Sequence, residues 1–131
     1  MATREITLEN IEDTITAGGI VLLDFWADWC PPCRAFGPVF EKSSQAHPEA
    51  VFGKIDTEAQ QQLAASFGIT SIPTLAVFRD GIMVFNQPGA LAGPQLEALY
   101  QQVAALDMDE VRAKIAAAQQ AQQGQQQEAR A

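Results

Sequence analysis

Residues 20–36 read Ile20-Val21-Leu22-Leu23-Asp24-Phe25-Trp26-Ala27-Asp28-Trp29-Cys30-Pro31-Pro32-Cys33-Arg34-Ala35-Phe36. Ile20 to Ala27 is an almost unbroken apolar run between Gly18-Gly19 and a proline pair, the pattern of a central strand buried on both faces. Pro31 and Pro32 suit a first helical turn, where a backbone N–H has no intrahelical acceptor in any case. Phe36, Val39 and Phe40 then recur at helical spacing. A strand therefore runs straight into a helix, and two cysteines stand at the junction.

Upstream, Thr3 to Ile6 reads as a strand, and Leu8, Ile11 and Ile15 mark a short helix between Thr7 and Gly18-Gly19. Downstream, Pro38 is expected to kink the cysteine-bearing helix. Ala50 to Asp56 reads as a strand, and Thr57 with Gln60 has capping-box spacing before a helix through Leu63 and Phe67 that Gly68 closes. Leu75 to Phe78 and Ile82 to Phe85 flank Asp80-Gly81, a strong hairpin signal, so these two strands should be antiparallel. Pro94 opens a helix through Leu96, Leu99, Tyr100 and Val103. The resulting order β-α-β-α-β-α-β-β-α describes an α/β fold, a mixed central sheet flanked by helices. One domain is expected over 1–106. Asp107 and Glu110 are spaced like a second capping box and lead a helical extension, 107–131, through Met108, Val111 and Ile115. Its glutamine- and alanine-rich end, AQQAQQGQQQEARA, is expected to be disordered, and everything beyond Leu106 is expected to be largely dispensable for fold and activity.

With 131 residues, 47% of them hydrophobic, the chain can bury one substantial core. A formal charge of -8 disfavours nucleic acid and anionic membranes as partners. No run approaches the ~18 apolar residues of a membrane span, and Met1 to Glu5 has no apolar signal core, so a cytoplasmic monomer is expected. There is no Gly-rich phosphate loop, so no nucleotide cofactor is expected.

Only two cysteines occur, three positions apart. Such a small ring constrains the unfolded chain little, which makes the pair a poor staple. As chemistry it is better placed. A thiol attacks disulfides as its thiolate, and at a helix N-terminus the dipole and unpaired N–H groups stabilise that anion. Cys33 lies about one turn after Cys30, close enough to bridge it, so the two can alternate between dithiol and disulfide. A closed zinc site would need four ligands, whereas the two cysteines could be joined only by His47, expected in a solvent-facing loop before Pro48; no metal is expected.

Asp24-Phe25-Trp26-Ala27-Asp28-Trp29-Cys30, Cys33, Lys54, Ile72-Pro73-Thr74 and Gly89-Ala90 together resemble the thioredoxin family over Thr3 to Leu106. The resemblance implies a thioredoxin fold and a protein-disulfide reductase in which Cys30 is the nucleophile and Cys33 the resolving thiol. It also implies a cis peptide before Pro73, whose loop faces the dithiol, and backbone groups of Ile72 offered to an extended substrate segment. Trp29, Pro31, Pro32, Gly89 and Ala90 would complete the substrate-contacting rim. The implied partners are disulfide-containing protein substrates and a thioredoxin reductase drawing on NADPH; the redox-active disulfide is itself the only prosthetic element. The family's usual pair between the cysteines is Gly-Pro, and Pro31 here removes an N–H near the Cys30 sulfur, which bears on redox poise. An oxidant or isomerase, and a client-binding co-chaperone, are the alternative readings.

Asp24 is unusual inside an apolar strand, because burial disfavours its charged form and raises its pKa. An outward-facing aspartate is the simpler alternative, although Leu23 and Phe25 leave no polar face. A carboxylate so tuned could accept the proton that Cys33 must lose, with Lys54 modulating its charge or else standing as a solvated strand-end lysine. Asp28 and Arg34 read as surface charges, Arg34 with a further option of holding the Cys30 thiolate.

Overall fold

The computed structural model describes residues 2–130. Its elements are β1 (Thr3–Glu5), α1 (Ile11–Thr16), β2 (Ile20–Trp26), α2 (Pro31–Ala46), β3 (Val51–Asp56), α3 (Gln61–Ser66), β4 (Thr74–Arg79), β5 (Ile82–Pro88), α4 (Gly93–Ala104) and α5 (Met108–Arg130). The first nine follow the order expected from the sequence. They build a five-stranded sheet, β1-β3-β2-β4-β5, in which β3 runs parallel to both β1 and β2 while β4 runs antiparallel to β2 and β5.

Alternation along β2 decides what the two sides of the sheet contain. Val21, Leu23 and Phe25 enter one core with Ile6, Ile11, Ile55 and Leu63. Leu22 enters the other with Phe36 and Phe40 of α2, Phe52, and Leu96 and Tyr100 of α4. Asp24 has the phase of Leu22, so its carboxyl points to the side that α2 covers. In β3, Lys54 pairs in register with Asp24 and has the phase of Phe52, which puts it on that side too. Between Phe52 and Lys54, Gly53 lies against Ile6 on the opposite face, where a Cβ would collide with the Ile6 side chain. A larger residue there has to displace the side chain of Ile6 and crowd that of Leu23.

The β4–β5 hairpin turns through Asp80 and Gly81 at φ 53° and 84°, left-handed values that the Asp-Gly pair tolerates and the twist of the strands requires. Helix α2 continues through Pro38 to Ala46 without interruption.

Three local expectations are corrected. Thr57 and Gln60 do not form a capping box: the Thr57 hydroxyl donates to the Trp26 carbonyl (3.0 Å), and Gln60 Oε1 accepts from the Leu8 N–H (3.0 Å). Asp56 serves the turn instead, its Oδ1 accepting from the Glu58 and Ala59 N–H groups at 2.9 and 3.4 Å. His47 does not face solvent. Its side chain is 12% exposed and stacks on Tyr100, ring centroids 3.7 Å apart, with Nε2 2.7 Å from Glu97 and Nδ1 3.2 Å from Glu49. The cause is tertiary, since α4 returns along α2 and lays Tyr100 over its C-terminal cap. Finally, α5 runs on through the glutamine-rich stretch to Arg130. Glutamine and alanine are both good helix formers, and Gly124 is the only weak residue among them.

At the start of α5, Asp107 Oδ1 accepts from the Asp109 and Glu110 N–H groups, which is half of the expected box; Glu110 pairs with Lys114 rather than reaching back. Met108 is buried, and Arg79 Nη1 donates to the carbonyls of Val103, Ala104 and Leu106 at the end of α4. The extension is thus anchored by its first turn. Ending the chain after Leu106 is expected to lower the melting temperature by roughly 5 °C through loss of the Met108 contact. Ending it after Arg112 should leave the melting temperature within about 1 °C of the full chain. Circular-dichroism melts of the two truncations check this, and indistinguishable curves would show that Met108 contributes nothing.

Candidate active site

Two parallel strands, β2 and β3, end side by side, so the chain segments leaving them meet at one edge of the sheet. Cys30 is the N-cap of α2, in extended conformation, with Pro31 and Pro32 as the first two helical residues. The first helical N–H is therefore that of Cys33, and it donates to Cys30 Sγ at 3.3 Å. The two cysteines form a disulfide across a Cα–Cα separation of 5.2 Å. Both residues are nearly covered, at 3% and 4% exposure, while Pro31 and Pro32 lie open to solvent.

The peptide between Ile72 and Pro73 is cis, and the Ile72 carbonyl oxygen lies 3.7 Å from Cys30 Sγ. Gly89 donates its N–H to the Pro73 carbonyl at 2.8 Å, which brings Gly89 and Ala90, both exposed, alongside that loop. Trp29 is 63% exposed, and its indole N–H donates to Glu58 at 2.8 Å. Trp26, by contrast, is half-buried against Ala27 and the cysteines. Between Trp29 and the Ile72 loop runs a groove of about 570 Å3, walled by Pro31, Pro32, Gln61 and Ser71, with Cys30 among its lining residues. Gly89 and Ala90 do not line it; they adjoin it only through Pro73. Arg34 turns to the Asp28 carbonyl (Nε–O 2.7 Å), as suits a surface charge.

Cys33 does not line this groove. It lines a separate crevice of about 400 Å3 with Trp26, Gly37 and Lys54, on the α2 side of the sheet. Asp24 is on the same side, 1% exposed, and neither carboxylate oxygen receives a hydrogen bond from any described residue. Burial pushes its pKa from 3.8 up to about 7, against a smaller opposing pull from the positive charge of Lys54. Lys54 makes no ion pair with Asp24; its Nζ sits 4.6 Å from the Trp26 ring centroid, a cation–π arrangement. The side chain therefore acts on Asp24 through its field.

Residues 2–105 match the thioredoxin family model. The chain belongs to the thioredoxin family. The putative thioredoxin 2 of Streptomyces coelicolor is 56% identical over 123 residues, covering 94% of this chain and 91% of that protein. A share that large reaches into the helical extension. A thioredoxin of Alicyclobacillus acidocaldarius is 40% identical over 98 residues, covering 74% of this chain and 93% of its own. Among solved structures, a thioredoxin variant from Halobacterium salinarum superposes with a TM-score of 0.74 at 31% identity, over 80% of this chain and 93% of that one. The thioredoxin of Malassezia sympodialis gives 0.67 at 35% identity, over 79% and 91%. As a member of the thioredoxin family with a bridged cysteine pair at the helix start, the chain is a thiol–disulfide oxidoreductase, a protein-disulfide reductase whose substrates are disulfide-containing proteins. No described helix is long and apolar enough to cross a membrane, and no described group of three or more His, Cys, Asp or Glu is arranged to hold a metal ion.

Glu58, Gln61 and Ser71 are site residues that pattern reading overlooked. A signal was available for Glu58: in a sheet with two parallel neighbours, the residues after Asp56 must lie beside those after Trp26.

The raised pKa of Asp24 gives stability a definite pH dependence. Below about pH 4 the carboxyl is protonated in folded and unfolded chains alike and changes nothing. As pH rises from there through about 7, the unfolded chain ionises first, and folded stability falls by on the order of 4 kcal/mol in all. Asp24→Asn removes this dependence. Its stability advantage over the wild type should grow by that amount between about pH 4 and pH 8, measured by urea unfolding at each pH; a constant difference would show that Asp24 ionises freely.

Proposed function

We propose that Cys30 is the nucleophile and Cys33 the resolving thiol of this reductase, with Asp24 the proton acceptor for Cys33. What supports this most is the division of the two sulfurs between two openings: Cys30 on the groove beside Trp29 and Ile72, Cys33 on the crevice beside Lys54. A substrate segment in the groove meets Cys30 first. The Cys30 thiolate attacks one sulfur of the substrate disulfide, the S–S bond breaks, and the other substrate sulfur leaves as a thiolate. Cys33 then gives up its proton and attacks Cys30 Sγ, closing the Cys30–Cys33 disulfide and releasing the second substrate thiolate. Asp24, with a pKa near neutrality on the Cys33 side of the sheet, is matched to receive that proton directly or through water, and Lys54 tunes its charge.

Trp29, Pro31, Pro32, Ile72 and Pro73 form the substrate contact surface, Ile72 through its main chain, with Gly89 and Ala90 extending the rim. The dithiol carries the two electrons without a metal or bound cofactor, and a thioredoxin reductase restores it. We place the protein in the cytoplasm, as a monomer, with the domain 1–106 carrying the activity and 107–131 as an appended extension. The proline pair favours reduction over oxidation. Two of the first three helical N–H groups are absent, so fewer donors stabilise the Cys30 thiolate, and it is stabilisation of the reduced form that makes a dithiol pair oxidising.

Cys30→Ser should abolish reduction of insulin, whereas Cys33→Ser should accumulate mixed disulfides with substrate that are visible on non-reducing gels. Equal trapping by both variants would reverse or void the assignment. Asp24→Asn should slow resolution of the mixed disulfide by roughly 100-fold near pH 7, the lower end of the range for a lost general base, while leaving the Cys30 attack less affected. Stopped-flow rates that match the wild type from pH 6 to 9 would exclude Asp24 as the base.

A further inference from the structure

We propose that Trp29 and Glu58 form a corner that takes a cationic side chain, making the groove selective for substrate segments with arginine or lysine next to the disulfide cysteine. The inference rests on the reading of Cys30 as the thiol that meets substrate, and it adds a specificity-determining residue to that site.

None of the groove's lining residues is charged, and every charged residue that adjoins one of them in the chain is an acid: Asp28, Asp56 and Glu58. Asp56 is occupied in capping its turn. Glu58 is exposed, and one of its oxygens is held 2.8 Å from the Trp29 indole nitrogen; the other accepts no hydrogen bond from any described residue. The Trp29 ring, 63% exposed, offers an electron-rich face beside that carboxylate. A guanidinium lying on the ring can also reach a carboxylate at the ring's edge, so attraction to the π face and to the anion act together. Arg34, the basic residue nearest Trp29 in the sequence, lines the Cys33 crevice and is turned to the Asp28 carbonyl. The chain's charge of -8 adds a general attraction for basic substrates, but that attraction acts at long range and is screened by salt.

The test uses three peptides sharing one disulfide and differing only in the residue after the attacked cysteine: arginine, glutamine or glutamate. With the full chain at low ionic strength, kcat/KM should favour arginine over glutamine by roughly 5- to 10-fold, a size set by one exposed cation–π contact and one exposed ion pair. The glutamate peptide should be slowest. Glu58→Gln keeps an oxygen to accept from Trp29 but loses the charge, and the arginine-to-glutamine ratio should fall toward one; a role confined to holding Trp29 would leave the ratio unchanged. Raising the salt to about 0.5 M, where screening acts within a few ångströms, should lower the wild-type ratio without erasing it. A glutamine peptide that is reduced as fast as the arginine peptide by the wild type, or a preference undiminished in Glu58→Gln, overturns the selectivity alone. Failure to reduce any of the three overturns the assignment of Cys30 and the proposal with it.

Discussion

β2 is hydrogen-bonded along its length to β3 on one side and β4 on the other, and it is covered on both faces. A strand so enclosed has no freedom of register or rotation, because a slip by one residue would exchange two apolar cores at once. The chain leaving it at Trp26 is therefore delivered to one place. Four residues later Cys30 caps α2, whose own position is fixed by Phe36 and Phe40 in the core beneath. The reactive sulfur thus owes its position to packing on both sides of the junction rather than to the short loop that carries it. The Ile72 loop, led to the same edge by β4, completes the arrangement without needing any bond to the loop of Trp29.

The same enclosure makes Asp24 expensive. Each of its neighbours in β2 is buried, and the carboxyl sits where hydrocarbon would serve stability better. Lys54 stands opposite Asp24 in the register but spends its charge over the Trp26 ring, so it moderates the carboxyl without neutralising it. A tight ion pair would hold Asp24 ionised at all working pH values and leave it a weak proton acceptor. Separation of the two charges keeps the carboxyl near neutrality, where it can both take and return a proton. In the role proposed for Asp24, stability is given up at the point where the chemistry needs an adjustable group, a common feature of functional sites.

Much of this was legible in the residues alone, and the parts that were not share a physical reason. The continuous run Ile20 to Ala27, the Asp80-Gly81 turn with its positive φ values, and the proline-led helix at Cys30 each depend on local geometry, which sequence encodes directly. Asp24 could be singled out because one carboxyl in an apolar run contradicts its surroundings. Thr57 and Gln60 misled because their spacing is right, yet Asp56, one residue earlier, had already capped the turn and left Thr57 to bond across to Trp26. His47 misled because its burial is made by Tyr100, 53 positions away in the sequence. Glu58 carries no local mark at all; its part arises only where two parallel strands end together.

The acidic edge of the groove and the reactivity of Cys30 pull in opposite directions. A carboxylate beside a thiol opposes its ionisation, and with Pro31 and Pro32 the helix start offers fewer N–H groups to counter this than an ordinary one. The Cys33 N–H bond to the Cys30 sulfur and the alignment of α2 remain as the favourable terms. Such a balance suits a reductase. A thiolate stabilised less is intrinsically the stronger nucleophile, and the disulfide it forms is harder to reduce, so electrons flow from the protein to its substrates.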